Sequence, residues 1–195
     1  MNQVVSAAEC YVPGVRMSAG RQAGRKAGER MKLALLVVDM QKCFLSEYSD
    51  TDAVQQCCEY IDYVAGTLRE AGHTIIHVKD VEEAERLAPQ DLAFTDQITV
   101  AESDLQIQKV HSNAFWQTGL DKIIKDREID LTIICGQAAE HCVLATYIGA
   151  WERGHRAVIL QHGVISQKPD RVTSLHEDRH VIANPVVQLL ASFPE

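Results

Sequence analysis

A chain of 195 residues, 46% hydrophobic and 24% charged, has enough apolar material for one self-sufficient core, which argues against disordered, collagen-like and membrane-embedded classes. Its net charge of −8 disfavours nucleic acid or an anionic membrane as the main partner and leaves small molecules as the default. The longest apolar run, Leu33 to Val38, is far shorter than the roughly 18 residues of a membrane span. Six cysteines, at 10, 43, 57, 58, 135 and 142, lack the spacing of a disulfide framework and follow no signal-peptide pattern. Free thiols in a reducing cytoplasm are therefore expected.

In chain order, residues 1–32 read first as a basic N-terminal extension, with a balance of +4 that leaves −12 for the remainder. Gly20, Gly24 and Gly28 have the spacing of a membrane dimer motif, but the intervening arginines and lysine exclude burial in lipid. An organelle transit peptide, or translation starting at Met17 or Met31, remains an open alternative for this segment. The domain proper runs over 33–195. Apolar runs predict six strands: Leu33 to Asp39, His73 to Lys79, Leu105 to Lys109, Asp130 to Cys135, Arg156 to Gln161 and Val181 to Asn184.

Between the first two strands, Val54, Cys57, Ile61, Val64 and Leu68 recur at helical spacing and stop near Gly72. Within that helix Cys57 and Cys58 point in different directions, which argues against a vicinal disulfide. A second helix follows Trp116 with Leu120, Ile123 and Ile124 on its apolar face, and a third runs from about Cys142 to Arg153. Near-continuous Val, Ile and Leu in the strands implies burial on both faces. The predicted fold is a single doubly wound α/β domain, a six-stranded mainly parallel sheet with helices on both faces. Residues 80–104, acidic and weakly periodic, are expected to form a helix or loop near the mouth of the site.

Ligands of such sheets bind beyond the carboxyl ends of the strands, where strand order reverses. Asp39 closes the first strand, Lys109 closes the third, and Cys142 follows the fourth after a short loop. A carboxylate, an ammonium and a thiol are thus expected to converge on one crevice. Singly, an Asp at a strand end is a turn former, a Lys is solvated and a Cys is a core filler.

In their surroundings they mean more. Leu36-Val-Val-Asp-Met-Gln41 through Phe44, Lys109 through Phe115, and Cys135-Gly-Gln-Ala-Ala-Glu-His-Cys-Val143 with Thr146 resemble the isochorismatase-like cysteine hydrolases over residues 33 to about 190. The resemblance implies Asp39 as general acid and base, Lys109 as electrostatic support and Cys142 as nucleophile. It also implies an oxyanion hole from the backbone N–H groups of Ala138 and Cys142, and a cis peptide between Gln137 and Ala138. Phe44, Trp116 and His141 line up with substrate-pocket positions, although Phe44 and Trp116 also suit a core and His141 a loop cap. Chemically, a helix N-terminus and an ammonium favour a thiolate, and an adjacent carboxylate can take the thiol proton. The resemblance further implies a homo-oligomer, dimer or tetramer.

Some features depart from the pattern. Metal-binding nicotinamidases of this superfamily carry an Asp-x-His and further histidines between the first two motifs, whereas Ser46 to Gln106 holds only His73 and His77. No metal or other cofactor is therefore expected. Isochorismatases that split a vinyl ether commonly lack the cysteine, so Cys142 argues for hydrolysis of a C–N bond. Ala139 stands where Thr is usual and His162 where Asp commonly ends the fifth strand, which keeps open a catalytically silent binding or scaffold protein. His176-Glu-Asp-Arg-His180 satisfies the H-E-x-x-H zinc pattern. It runs straight into a predicted strand at Val181, and a decoy is the expectation.

Overall fold

A computed structural model describes residues 30–192; the basic segment and its glycine spacing lie almost wholly outside these residues, as does Cys10. Six strands, β1 (Leu33–Val38), β2 (Thr74–Asp80), β3 (Leu105–Lys109), β4 (Leu131–Gly136), β5 (Ala157–Val164) and β6 (Val181–Ile182), form one sheet in the order β3-β2-β1-β4-β5-β6. Every neighbouring pair is parallel. Strand order reverses between β1 and β4, the switch point of a doubly wound sheet.

β1 is Leu-Ala-Leu-Leu-Val-Val, every residue fully buried. Its alternation sends Leu33, Leu35 and Val37 into one core and Ala34, Leu36 and Val38 into the other. Burying both faces explains why no polar residue punctuates the run; each buried Leu or Val contributes about 1.5–3 kcal/mol relative to exposure. On the first face lies α2 (Thr51–Glu70), which follows the single turn α1 (Lys42–Leu45). The Asp50 carboxylate caps α2 by accepting from Ala53 N–H at 2.9 Å, and Gly72 at φ 76° ends the segment in the left-handed region. Cys57 and Cys58, both free, are buried on this helix.

The opposite face carries α3 (Leu120–Asp126), α4 (Leu144–Glu152) and α5 (Pro169–Asp178), while α6 (Asn184–Ser192) joins α2. α1, α5 and α6 are not among the elements expected from the sequence.

Other boundaries also move. The third helix does not begin at Cys142: residues Ala139–Val143 form a π-helical turn, and α4 starts only at Leu144. β5 does not stop at Gln161 but passes through His162, at φ 62°, to Val164. The register against β4 slips between Ile134 and Gly136, the local irregularity that accommodates this longer strand. Residues 81–104 contain neither helix nor strand, only turns and one bridge from Phe94 to Gln41. Among the described residues no helix is long and apolar enough to cross a membrane.

Candidate active site

At the carboxyl edge of the sheet, β1 ends and the chain turns sharply. Asp39 takes φ 53°, a left-handed conformation that Asp tolerates better than most residues. Its N–H donates to Val78 O at 3.0 Å, and its carbonyl accepts from the Gln137 side-chain amide at 3.0 Å. Gln137 is itself held by Tyr48, whose hydroxyl donates to Oε1 at 2.8 Å. Next door, Gly136 sits at φ 109°, and a Cβ there would lie 2.1 Å from Val38 O. Only glycine lets β4 approach β1 this closely.

The Asp39 carboxylate is 2.8 Å from the Lys109 ammonium through Oδ2, and its Oδ1 is buried without a hydrogen-bond partner. Lys109 Nζ lies 3.4 Å from Cys142 Sγ. The sheet therefore brings together the three residues that the strand-end rule singles out. A fourth group joins them: Asp80, the last residue of β2, faces Lys109 in the β2–β3 register and accepts from Nζ through Oδ2 at 2.5 Å. Sequence reading notes Asp80 after His77 only as a mismatch to the metal motif and does not assign it to the site, the predicted strand stopping one residue short. The register with β3 is what pairs it with Lys109.

Burial dominates the electrostatics. It pushes the Asp39 carboxyl up to about 6, although Lys109 pulls the other way. It also pushes the Cys142 thiol up to about 12, with the Asp39 charge adding to the rise and Lys109 only partly opposing it. The expectation of a favoured resting thiolate is thus corrected: the thiol is held protonated beside a carboxylate. Burial works against the Lys109 charge too, but Asp39, Cys142 and the hydrogen bonds to both carboxylates outweigh it and hold the ammonium above its ordinary range.

Cys142 occupies the π-helical turn, reached through a cis peptide between Gln137 and Ala138. In this loop Ala139 N–H donates to Ile165 O, and His141 and Val143 N–H both donate to Ala138 O. None of these bonds uses the Ala138 or Cys142 amide. A cavity of about 330 Å³ opens beside the thiol, lined among others by Asp39, Phe44, Ala138, His141, Cys142 and Lys168. Trp116 is not part of its lining and is 52% exposed, so it belongs neither to this cavity nor to the core. No residue of 80–104 lines the cavity either. That connection acts from beneath: Gln41 donates to Leu92 O at 3.1 Å and Asp80 O at 3.0 Å, and accepts from Asp80 N–H at 2.7 Å.

The H-E-x-x-H histidines do not converge. His176 lies within α5, whereas His180 lies beyond its end, with Nδ1 2.6 Å from the Tyr147 hydroxyl.

Residues 33–186 match the profile of the Isochorismatase domain. The chain belongs to the isochorismatase family. It is 30% identical over 149 residues to a streptothricin hydrolase of Streptomyces noursei, an alignment covering 73% of this chain and 58% of that protein. A second streptothricin hydrolase is covered to 47%, so the chain spans about half the length of these curated relatives. N-carbamoylsarcosine amidase from Thermoplasma acidophilum shares the fold at a TM-score of 0.69 and 23% identity, over 79% of this chain and 97% of that one. Pyrazinamidase of Pyrococcus horikoshii, solved with zinc, does so at 0.66 and 23%, over 78% and 98%.

The zinc-bound relative raises the question of a metal here. Among the described residues, Asp39, Asp80 and Cys142 form the single cluster of three metal-capable side chains, their ligand atoms within 4.8 Å of one another. Lys109 Nζ stands 2.8, 2.5 and 3.4 Å from these three. A fixed ammonium already fills the cationic position, and these residues do not fit a divalent ion.

Proposed function

We propose that this protein is a metal-independent cysteine hydrolase that cleaves a C–N bond, amide, carbamoyl or ureido, of a small molecule. The observation that carries this reading is the single ammonium that touches both the Asp39 carboxylate, at 2.8 Å, and the Cys142 thiol, at 3.4 Å, beside a cavity of small-molecule size. Amidases among the structural relatives support the choice of bond.

Because the thiol is protonated at rest, proton transfer accompanies attack. Cys142 Sγ bonds to the carbonyl carbon as its proton passes to Asp39, and the oxyanion is met by the Ala138 and Cys142 N–H groups. Asp39 then delivers that proton to the nitrogen as the C–N bond breaks, and ammonia or an amine leaves a thioester. Water adds to the thioester carbon, Asp39 takes its proton, and the C–S bond breaks as sulfur regains a proton. Lys109 keeps Asp39 oriented and offsets negative charge throughout. Phe44 and His141, both on the cavity wall, hold the substrate.

Ammonia release from a panel of small amides, carbamoyl compounds and ureido acids tests the proposal. Release that vanishes in Cys142→Ala and survives a chelator supports it. If no compound is turned over, the catalytically silent binding protein becomes the better reading.

A further inference from the structure

Two carboxylates, not one, share the Lys109 ammonium, and they are built differently. Asp80 is fixed from every side: Gln41 clamps its backbone N–H and carbonyl, Glu82 N–H donates to its Oδ1 at 2.9 Å, and Oδ2 takes the ammonium at 2.5 Å. Asp39 meets the same ammonium through Oδ2 alone, and its buried Oδ1 has no partner. An ammonium has three N–H donors. Here its three neighbours are Asp80 Oδ2, Asp39 Oδ2 and Cys142 Sγ, with Asp80 the closest.

We infer that Asp80 is a positioning residue of the hydrolytic site, anchoring the Lys109 ammonium so that it is shared rather than surrendered to Asp39, which is thereby left free to accept the thiol proton. This rests on the reaction proposed above. A carboxylate in an exclusive buried ion pair is a poor base, because taking a proton would strand its partner's charge. With Asp80 present, the ammonium keeps a full counter-charge when Asp39 is protonated, and it remains in place to face the sulfur. The charge of Asp80 also opposes ionisation of Asp39, in the same sense as burial. The ionisable groups facing Asp39 are Lys109 from β3, Asp80 from β2 and Cys142 from the π-helical turn, with Glu47, Tyr48, Glu140, His141 and Lys168 around the adjoining cavity.

Acylation of Cys142 by 4-nitrophenyl acetate, followed by nitrophenolate release and by mass spectrometry of the modified cysteine, isolates the attack step across pH. In the wild type the rate rises as Asp39 ionises, through a midpoint near 6. Asp80→Asn is expected to move that acidic limb to lower pH and to lower the plateau at least tenfold, about a tenth of what a positioned general base commonly contributes at its lower end. A folded Asp80→Asn with an unchanged midpoint and plateau overturns the inference. Should Asp80→Asn fail to fold, Asp80→Glu keeps the charge and displaces it: the acidic limb is expected to stay while the plateau falls, and an unaltered plateau is the overturning result. Failure of the hydrolase reading itself looks different, since wild-type Cys142 would then neither acylate nor support ammonia release.

Discussion

Two buried ionic clusters flank the β2–β3 edge, and they treat a carboxylate in opposite ways. Asp104, before β3, accepts from both Arg69 Nε and Arg69 Nη2, at 3.0 and 2.8 Å, from Ala101 N–H at 2.9 Å and pairs with His77 Nε2 at 3.1 Å. Burial works to raise its carboxyl, but these partners prevail and hold it below its ordinary value. Asp39, with one oxygen unpartnered, is pushed up instead. A saturated carboxylate ties the 81–104 connection to α2 and β2, whereas an unsaturated one keeps the capacity to take a proton.

Breaking the Asp39–Lys109–Asp80 cluster at its centre should have the largest effect. Lys109→Met leaves Asp39 and Asp80 facing one another without a counter-charge, which abolishes activity and costs about 3–5 kcal/mol of stability. Without the ammonium that lowers it, the Asp39 carboxyl is pushed further above its unfolded value, so its charged form is disfavoured in the folded state. The loss should accordingly be smaller at pH 5 than at pH 8, as urea unfolding at the two values checks. Cys142→Ala, by contrast, removes a thiol that stabilises little; ammonia release should fall by about a thousandfold or more with nearly unchanged unfolding. In the wild type, kcat/KM should rise with pH through about 6 as Asp39 becomes able to accept a proton.

The structural cluster responds in the other currency. Arg69→Ala should cost about 2 kcal/mol by stranding a buried acceptor, with kcat retained. The folded-state carboxyl of Asp104 is depressed, so its contribution is present above the ordinary carboxylate range and lost as pH falls through the folded value. Stability of Arg69→Ala should therefore decline less steeply with acid than that of the wild type. Smallest of all, Trp116→Ala should shift stability by no more than about 0.5 kcal/mol, because the ring is 52% exposed. Phe44→Ala, on the cavity wall, should raise KM more than Trp116→Ala does.

Much of this arrangement is legible in the chain. β1 and β4 announce themselves because burial on two faces demands nearly continuous apolar residues, whereas β3, at the sheet edge, reads through the alternation of Leu105 and Ile107 with Gln106 and Gln108; Asp39 follows the apolar run of β1, and Lys109 ends β3. Cys142 stands out through its motif, but the π-helical turn does not, since the same residues read equally well as the first turn of α4. α5 and α6 are not among the expected elements, and they bury few side chains, Leu175 in α5 and Val187 and Ala191 in α6.

By itself, then, the sequence determined the fold class, the family and the identities of the carboxylate, ammonium and thiol, because hydrophobic patterning and short motifs are local properties. Tertiary structure alone decided that Asp80 meets Lys109, that Asp39 keeps an unpartnered oxygen, and that Trp116 stands away from the cavity. Those facts depend on sheet order, register and burial, which join residues 29 positions apart in Asp80 and Lys109 and set how much water each charge retains.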